Sequence, residues 1–336
     1  MPRAECGTNA MPALVRFLLR FQSLFGLIAV VVLAAILSPM RDGRSVFLDP
    51  ANLLNVVRFA SENGIIAVGM TLVILTGGID LSVGALLALF SVGAAACLMR
   101  YHLGVFSTVA VLLALGALVG TLNGLVTTRF KVPSFITTLA ALSVARGVAS
   151  LWSGGYAIPL AFGPGRDEAS PLFKSLFAGQ ANLGGLAVPA PVFYFLAVGL
   201  FASVLLGRTR LGRYVYAVGG NEAAARFSGV ATDRVKVFAF GASGFLAALA
   251  ALLHSALVNQ GSHIDGAGYE LNAIAAAVIG GTSLSGGVGT IAGTMIGALI
   301  LSVLDNILGL RNIPSEYQMI LKGVIIVLAV VAQRRR

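Results

Sequence analysis

Few side chains in this sequence could do chemistry, and most of them stand beside glycines. GGIDLSVG at residues 77–84 and GGTSLSGG at residues 280–287 share the frame G-G-x-x-L-S-x-G, each between long apolar runs. Gly77 and Gly78 precede Asp80 and Ser82, and Gly280 and Gly281 precede Ser283. Paired glycines at matching places in two halves of an apolar chain mark helices broken at membrane depth, where backbone and short polar side chains meet a solute. The implied chemistry is passage of a solute, with these residues as path or hinge. Asp80 has a second possible use, since a carboxylate just after a break can cap the amides of a starting helix. Asn123, Asp305 and Asn306 also fall inside apolar runs, where either an interhelical hydrogen bond or a solute-facing role would account for them. Asn259, Gln260 and Asn272 flank another run, and Arg146 either pairs with a carboxylate or reaches an interface.

A second constellation is GGNEAAARFSGV at residues 219–230. Asn221 can cap a short helix, Ala223 and Ala224 favour it after Glu222, and Gly229 can stop it. Glu222 and Arg226, four apart, can pair on one face, which leaves Phe227 as an apolar anchor for a soluble partner. What is missing narrows the choice. The sequence holds no G-x-x-x-x-G-K-[ST] phosphate loop, no H-E-x-x-H and no Ser-His-Asp arrangement, so ATP hydrolysis by this chain alone is not expected. The two cysteines, Cys6 and Cys97, define no disulfide framework, and His102, His254 and His263 have no metal-ligand spacing. The expected metal and catalytic sets are empty.

The elements that must position these residues are membrane helices. The 336 residues are 57% hydrophobic and 11% charged, with mean hydropathy +0.92, against roughly 45–50% and about 25% in soluble domains. Such a chain cannot be a water-soluble globule. A net charge of +10 would suit nucleic acid only with a basic face outside the apolar runs. Here Lys and Arg fall in short loops and tails, the pattern of basic cytoplasmic loops, and no nucleic-acid partner is expected. Taking about 20 apolar residues per span, the sequence reads as an all-α polytopic bundle of about ten spans. They lie at residues 18–38, 55–76, 81–99, 103–127, 133–152, 190–207, 236–258, 270–284, 287–308 and 317–333. Residues 1–17 form a cytoplasmic tail, and 18–336 one transmembrane domain whose internal repeat and broken helices centre on the glycine frame. Arg16 and Arg20 precede an apolar run without a clear cleavage site, so the first span is retained. Residues 153–189, rich in Gly and Pro, form an external loop, and residues 208–236 the largest cytoplasmic loop. Both termini are then cytoplasmic. The short segment 270–284 is read as crossing; a re-entrant path is the alternative. Ladders at Gly116, Gly120, Gly124 and at Gly289, Gly293, Gly297 fit close helix packing in lipid.

Four stretches carry a family resemblance: GMTLVILTGGIDLSVGALLAL at 69–89, VPSFITTLAALSVARG at 132–147, RLGRYVYAVGGNEAAARFSGV at 210–230 and AIAAAVIGGTSLSGGVGTIAGTMIGALIL at 273–301. Together they make the chain resemble the membrane permease subunit of bacterial ABC importers of the ribose type. The resemblance implies import of a monosaccharide or small polyol, driven by cytoplasmic ABC ATPase subunits that hold ATP and Mg²⁺, with no cofactor on this chain. It also implies a periplasmic or extracellular solute-binding protein and a second permease, either another copy of this chain or a related one, in the bacterial inner membrane. Glu222, Ala223 and Ala224 match the E-A-A helix that inserts into such ATPases. Gly229 comes one residue later than the broader pattern has it, so the helix and its general role carry over, not the full motif. Two rivals stand beside this reading. One is an ion-coupled secondary transporter using Asp80 or Asp305, which leaves GGNEAAARFSGV without a role. The other is a non-transporting scaffold or intramembrane enzyme, for which no catalytic set exists.

Overall fold

The computed structural model describes residues 22–161 and 171–334. The expected tail 1–17, Arg166, Asp167, Glu168 and the last two arginines lie outside them. Thirteen helices occur among the described residues. They are α1 (Gln22–Leu37), α2 (Pro50–Leu75), α3 (Val83–Met99), α4 (Val105–Arg129), α5 (Ser134–Ser153), α6 (Pro171–Ala178), α7 (Ala190–Arg208), α8 (Arg210–Gly220), α9 (Glu222–Phe227), α10 (Thr232–Val258), α11 (Tyr269–Ile279), α12 (Ile291–Leu310) and α13 (Ser315–Arg334). Short antiparallel pairs join β1 (Met40–Arg41) to β2 (Arg44–Ser45), β3 (Ile158–Pro159) to β6 (Gln260–Gly261), and β4 (Gln180–Leu183) to β5 (Leu186–Pro189).

Each of the ten apolar segments holds one helix, but length separates them. Among the described residues six helices, α2, α4, α5, α7, α10 and α12, are long and apolar enough to cross a membrane. α1, α3 and α11 are apolar but shorter, and α13 is not among the six. α11 has 11 residues, about 16 Å against a hydrocarbon layer of about 30 Å. The crossing expected over 270–284 therefore receives a helix of about half that depth. α11 and α12 pack antiparallel, with Gly297 of α12 abutting the Ala276 carbonyl and Gly293 that of Gly280.

Close packing explains most of the interior glycines. α4 and α10 run antiparallel with backbone against backbone. A Cβ on Gly116 would lie 2.6 Å from the Gly244 carbonyl oxygen, and one on Gly124 2.7 Å from Val237 Cα. Gly120 meets the Phe240 carbonyl in the same way. The apolar core gathers on α2, α3 and α10, where Ile65, Met70, Leu86 and Leu252 are fully buried. α2 starts from Pro50 after Asp49, whose carboxylate accepts from Ala51 N at 2.8 Å. Pro is pre-set for that first position, and Asp satisfies an amide with no helical partner. The expected external loop contains β3, α6 and the β4–β5 hairpin, and Phe173 and Phe177 of α6 are buried.

Candidate functional site

The first glycine break follows α2. Gly77 takes φ +79°, Gly77 N donates to Ile74 O at 2.8 Å and Gly78 N to Val73 O at 3.1 Å. That is a Schellman stop, in which a left-handed residue turns the chain while the last helical carbonyls are satisfied. Residues 79–82 then run beside α5, where Ile79 N donates to Ser134 Oγ and Leu81 N to Thr138 Oγ1, both at 3.0 Å. Asp80 lies at the centre and is 0% exposed. Its Oδ1 accepts from Ser82 N at 3.0 Å and Ser82 Oγ at 2.6 Å, and its Oδ2 from Ser243 Oγ of α10 at 2.8 Å. Asn123 of α4 donates through Nδ2 to Ser82 Oγ at 3.1 Å. Asp80, Ser82 and Asn123 thus form one buried polar node with Ser243, closed to solvent in this conformation. The one amide that Asp80 accepts is that of Ser82, the residue just before α3, and no side chain caps the first amides of α3 itself.

The second break follows α11. Gly281 takes φ +93°, Gly281 N donates to Val278 O and Thr282 N to Ala277 O, both at 2.9 Å. Ser283 N bonds Val288 O at 2.8 Å within a tight loop, and Ser283 stays half-buried. The two breaks meet. Gly287 N donates to Leu75 O at 3.0 Å, and a Cβ on Gly286 would lie 3.0 Å from Gly77 N. Gly219 and Gly220, at the end of α8, complete the contact: Gly219 touches Leu75 O and Gly287 N, and Gly220 N lies 2.7 Å from a Gly287 Cβ position. Sequence reading missed this role of Gly219 and Gly220. The available signal was their pairing directly before the capping asparagine.

From that contact the chain passes into α9. Asn221 Oδ1 accepts from Ala224 N at 2.9 Å, and Gly229 takes φ +85° beyond the helix. Glu222 pairs with Lys236 at 2.6 Å and Arg226 at 3.4 Å, and Arg226 pairs with Asp233 at 2.6 Å. α9 is thereby fastened to the first turns of α10. Phe227 points away, 93% exposed. A cavity of about 400 Å³ joins the face of α9 bearing Glu222 and Arg226 to Gly77, Gly78 and Lys131.

Asp305 and Asn306 belong elsewhere. Asp305 pairs with Lys322 at 2.9 Å, and Asn306 exchanges two amide hydrogen bonds with Asn52, at 2.8 and 3.0 Å. Neither reaches a glycine break. Arg146 donates to backbone carbonyls, including Asp265 O at 2.7 Å, rather than pairing with a carboxylate at bonding distance. Sequence reading also missed a buried ion cluster. His254 Nδ1 lies 2.9 Å from Glu62 Oε2 and its Nε2 3.7 Å from Asp265 Oδ1, while Asp265 Oδ2 accepts from Ser91 Oγ at 2.9 Å. Glu62, a carboxylate within the second apolar run, was the available signal. Among the described residues no group of three His, Cys, Asp or Glu could hold a metal ion.

The profile of the family described as branched-chain amino acid transport system / permease component matches residues 52–330. The chain is 44% identical to a ribose import permease protein of Escherichia coli (strain K12), covering 92% of this chain and 93% of that one. It is 42% identical to the ribose import permease protein of Haemophilus influenzae, over 94% of each. A xylose transport system permease protein of Haemophilus influenzae is 35% identical, over 90% of this chain and 94% of its own length. No solved structure matches the chain.

Proposed function

The chain belongs to the branched-chain amino acid transport system / permease component family and is the membrane permease of an ABC sugar importer, and from that premise we propose how it couples to its partners. The cargo is a monosaccharide or related small polyol, with ribose and xylose the first candidates because relatives are named for them. The end of the bundle bearing α8 and α9 faces the cytoplasm. Arg129, Lys131, Arg208, Arg210, Arg213, Arg234 and Lys236 concentrate there, as basic residues do at cytoplasmic ends. Residues 153–189 then lie outside, toward a solute-binding protein, both termini lie inside, and a second copy completes the pore. The count of about ten spans is kept, with α3 and α11 as partial spans that break at Gly77–Gly78 and Gly280–Gly281.

The observation that carries the reading is the meeting of Gly219, Leu75 and Gly287. α9 presents exposed Phe227 to a soluble partner, and the glycine pair just before it touches both breaks through main-chain atoms alone. An ATPase subunit that draws Asn221, Glu222 and Phe227 would pull on the ends of α2 and α11 together, and the Asp80 node would have to re-form as the path opens. ATP and Mg²⁺ stay on that partner. The ion-driven alternative gives α9 no such partner.

The test is Phe227→Asp and Glu222→Arg in the assembled importer, read by retention of the ATPase subunits on purification and by uptake of labelled ribose and xylose. A central anchor of this kind contributes about 2 kcal/mol or more to an interface, so the ATPase should be retained about thirtyfold less. Normal retention and normal uptake in both variants would move coupling away from α9.

A further inference from the structure

An outward-facing groove runs along α10 between α4 and α7. Its first part encloses about 710 Å³ and is walled by Ala117, Thr121, Leu125, Phe201 and Phe245. Past Phe238 and Ala242 it continues into an apolar hollow of about 290 Å³ that reaches Leu246. Along α10 the path from Arg234 to Leu246 is about 18 Å, comparable to an extended fatty acyl chain.

The groove is charged at one end only. Arg129, the last residue of α4, and Arg234, in the first turn of α10, both line its mouth and are exposed. Neither forms an ion pair among the described residues. Asp233 also lies at the mouth, but Arg226 holds it at 2.6 Å. Two uncompensated guanidiniums therefore stand over an apolar slot at the level where the helices leave the bilayer. Guanidinium forks suit phosphate, and basic pockets between membrane helices suit anionic headgroups. A second copy of this chain would fill the slot but would bring more positive charge to this end, where Lys131, Arg208, Arg210 and Arg213 already lie.

We propose that the groove between α4, α7 and α10 binds one anionic glycerophospholipid, its phosphate on Arg129 and Arg234 and one acyl chain against Phe201 and Phe245. The proposal rests on the permease reading only in placing these helices across a bilayer.

Native mass spectrometry of the purified full-chain permease would test it, titrating phosphatidylglycerol against phosphatidylcholine of the same chains. Wild type should retain phosphatidylglycerol preferentially. Arg129→Gln should weaken that retention about fivefold, and Arg129→Gln with Arg234→Gln about thirtyfold. The double Lys variant should keep most of it, which controls for folding, and Ala117→Trp should exclude both lipids by filling the slot. Equal retention of the two lipids by wild type, or unchanged phosphatidylglycerol retention in the double Gln variant, would overturn the proposal. So would disulfide cross-linking between two copies carrying Thr121→Cys in native membranes, which would give the groove to a second chain. Sugar uptake measured in parallel reports on the permease reading separately, since that reading survives loss of the lipid.

Discussion

The two copies of G-G-x-x-L-S-x-G share a spelling but not a conformation. In the first, the left-handed residue is Gly77, and a Cβ on its neighbour Gly78 would lie 3.1 and 3.2 Å from the Val73 and Phe240 side chains. In the second the order is reversed: Gly280 stays helical against the Gly293 backbone, and the turn falls on Gly281. The two glycines of the second pair thus serve different needs: close approach of the α12 main chain requires one at Gly280, and the left-handed turn favours one at Gly281. The segments beyond the two stops differ as well. Asp80 and Ser82 are buried and held by α4, α5 and α10, whereas Ser283 is half-buried and bonded within its own loop. The motif encodes a helix stop and then a short polar turn. Its neighbours decide whether that turn becomes a core node or a loop.

If the breaks are non-equivalent in this way, substitutions at aligned positions should diverge. The largest effect is expected for Gly280→Val, whose side chain would overlap the Gly293 main chain. Overpacking of this kind costs about 3 kcal/mol, and folded protein recovered from the membrane should fall together with uptake. Next comes Asp80→Ala, which strips an acceptor from Ser82 N and from two buried hydroxyls at a cost of about 1–3 kcal/mol; uptake should drop well below wild type. The aligned Ser283→Ala should stay within about 0.5 kcal/mol by thermal unfolding. Equal losses at Asp80 and Ser283 would restore equivalence of the two copies. Of the glycine substitutions the milder loss is expected for Gly77→Ala, because a Cβ there meets nothing within 4 Å and only the left-handed backbone is disfavoured, by about 1–2 kcal/mol. Insertion should be retained and uptake reduced. A Gly77→Ala defect as deep as that of Gly280→Val would mean that a steric contact, not backbone conformation, selects glycine at both places.

Legibility in the sequence tracks contact distance along the chain. The helix Glu222–Phe227, its Asn221 cap and the stops at both glycine pairs depend on neighbours within a few residues, and all were legible. A bond from Asp80 to a neighbouring amide was legible, and it accepts from Ser82 N, but its bond to Ser243 spans 163 residues and no local pattern encodes it. The same holds for His254 with Glu62, 192 residues apart, where only the oddity of a carboxylate in an apolar run was visible. Asp305 and Asn306 were legible as polar residues in an apolar helix, for which a path role or an interhelical bond would both account; their partners Lys322 and Asn52 lie on other helices and no local pattern names them. Helix length was the least legible feature, since hydropathy finds apolar segments but not that α11 stops after 11 residues.

α10 is 27 residues long, about 40 Å. One end is pinned by Lys236 to Glu222, the other by His254 to Glu62, and glycines press its middle against α4. Between these two ties the α4 contact extends from Val237 to Ala248, so a displacement of the Lys236 end would have to be absorbed by that main-chain contact or passed on to the tie at His254.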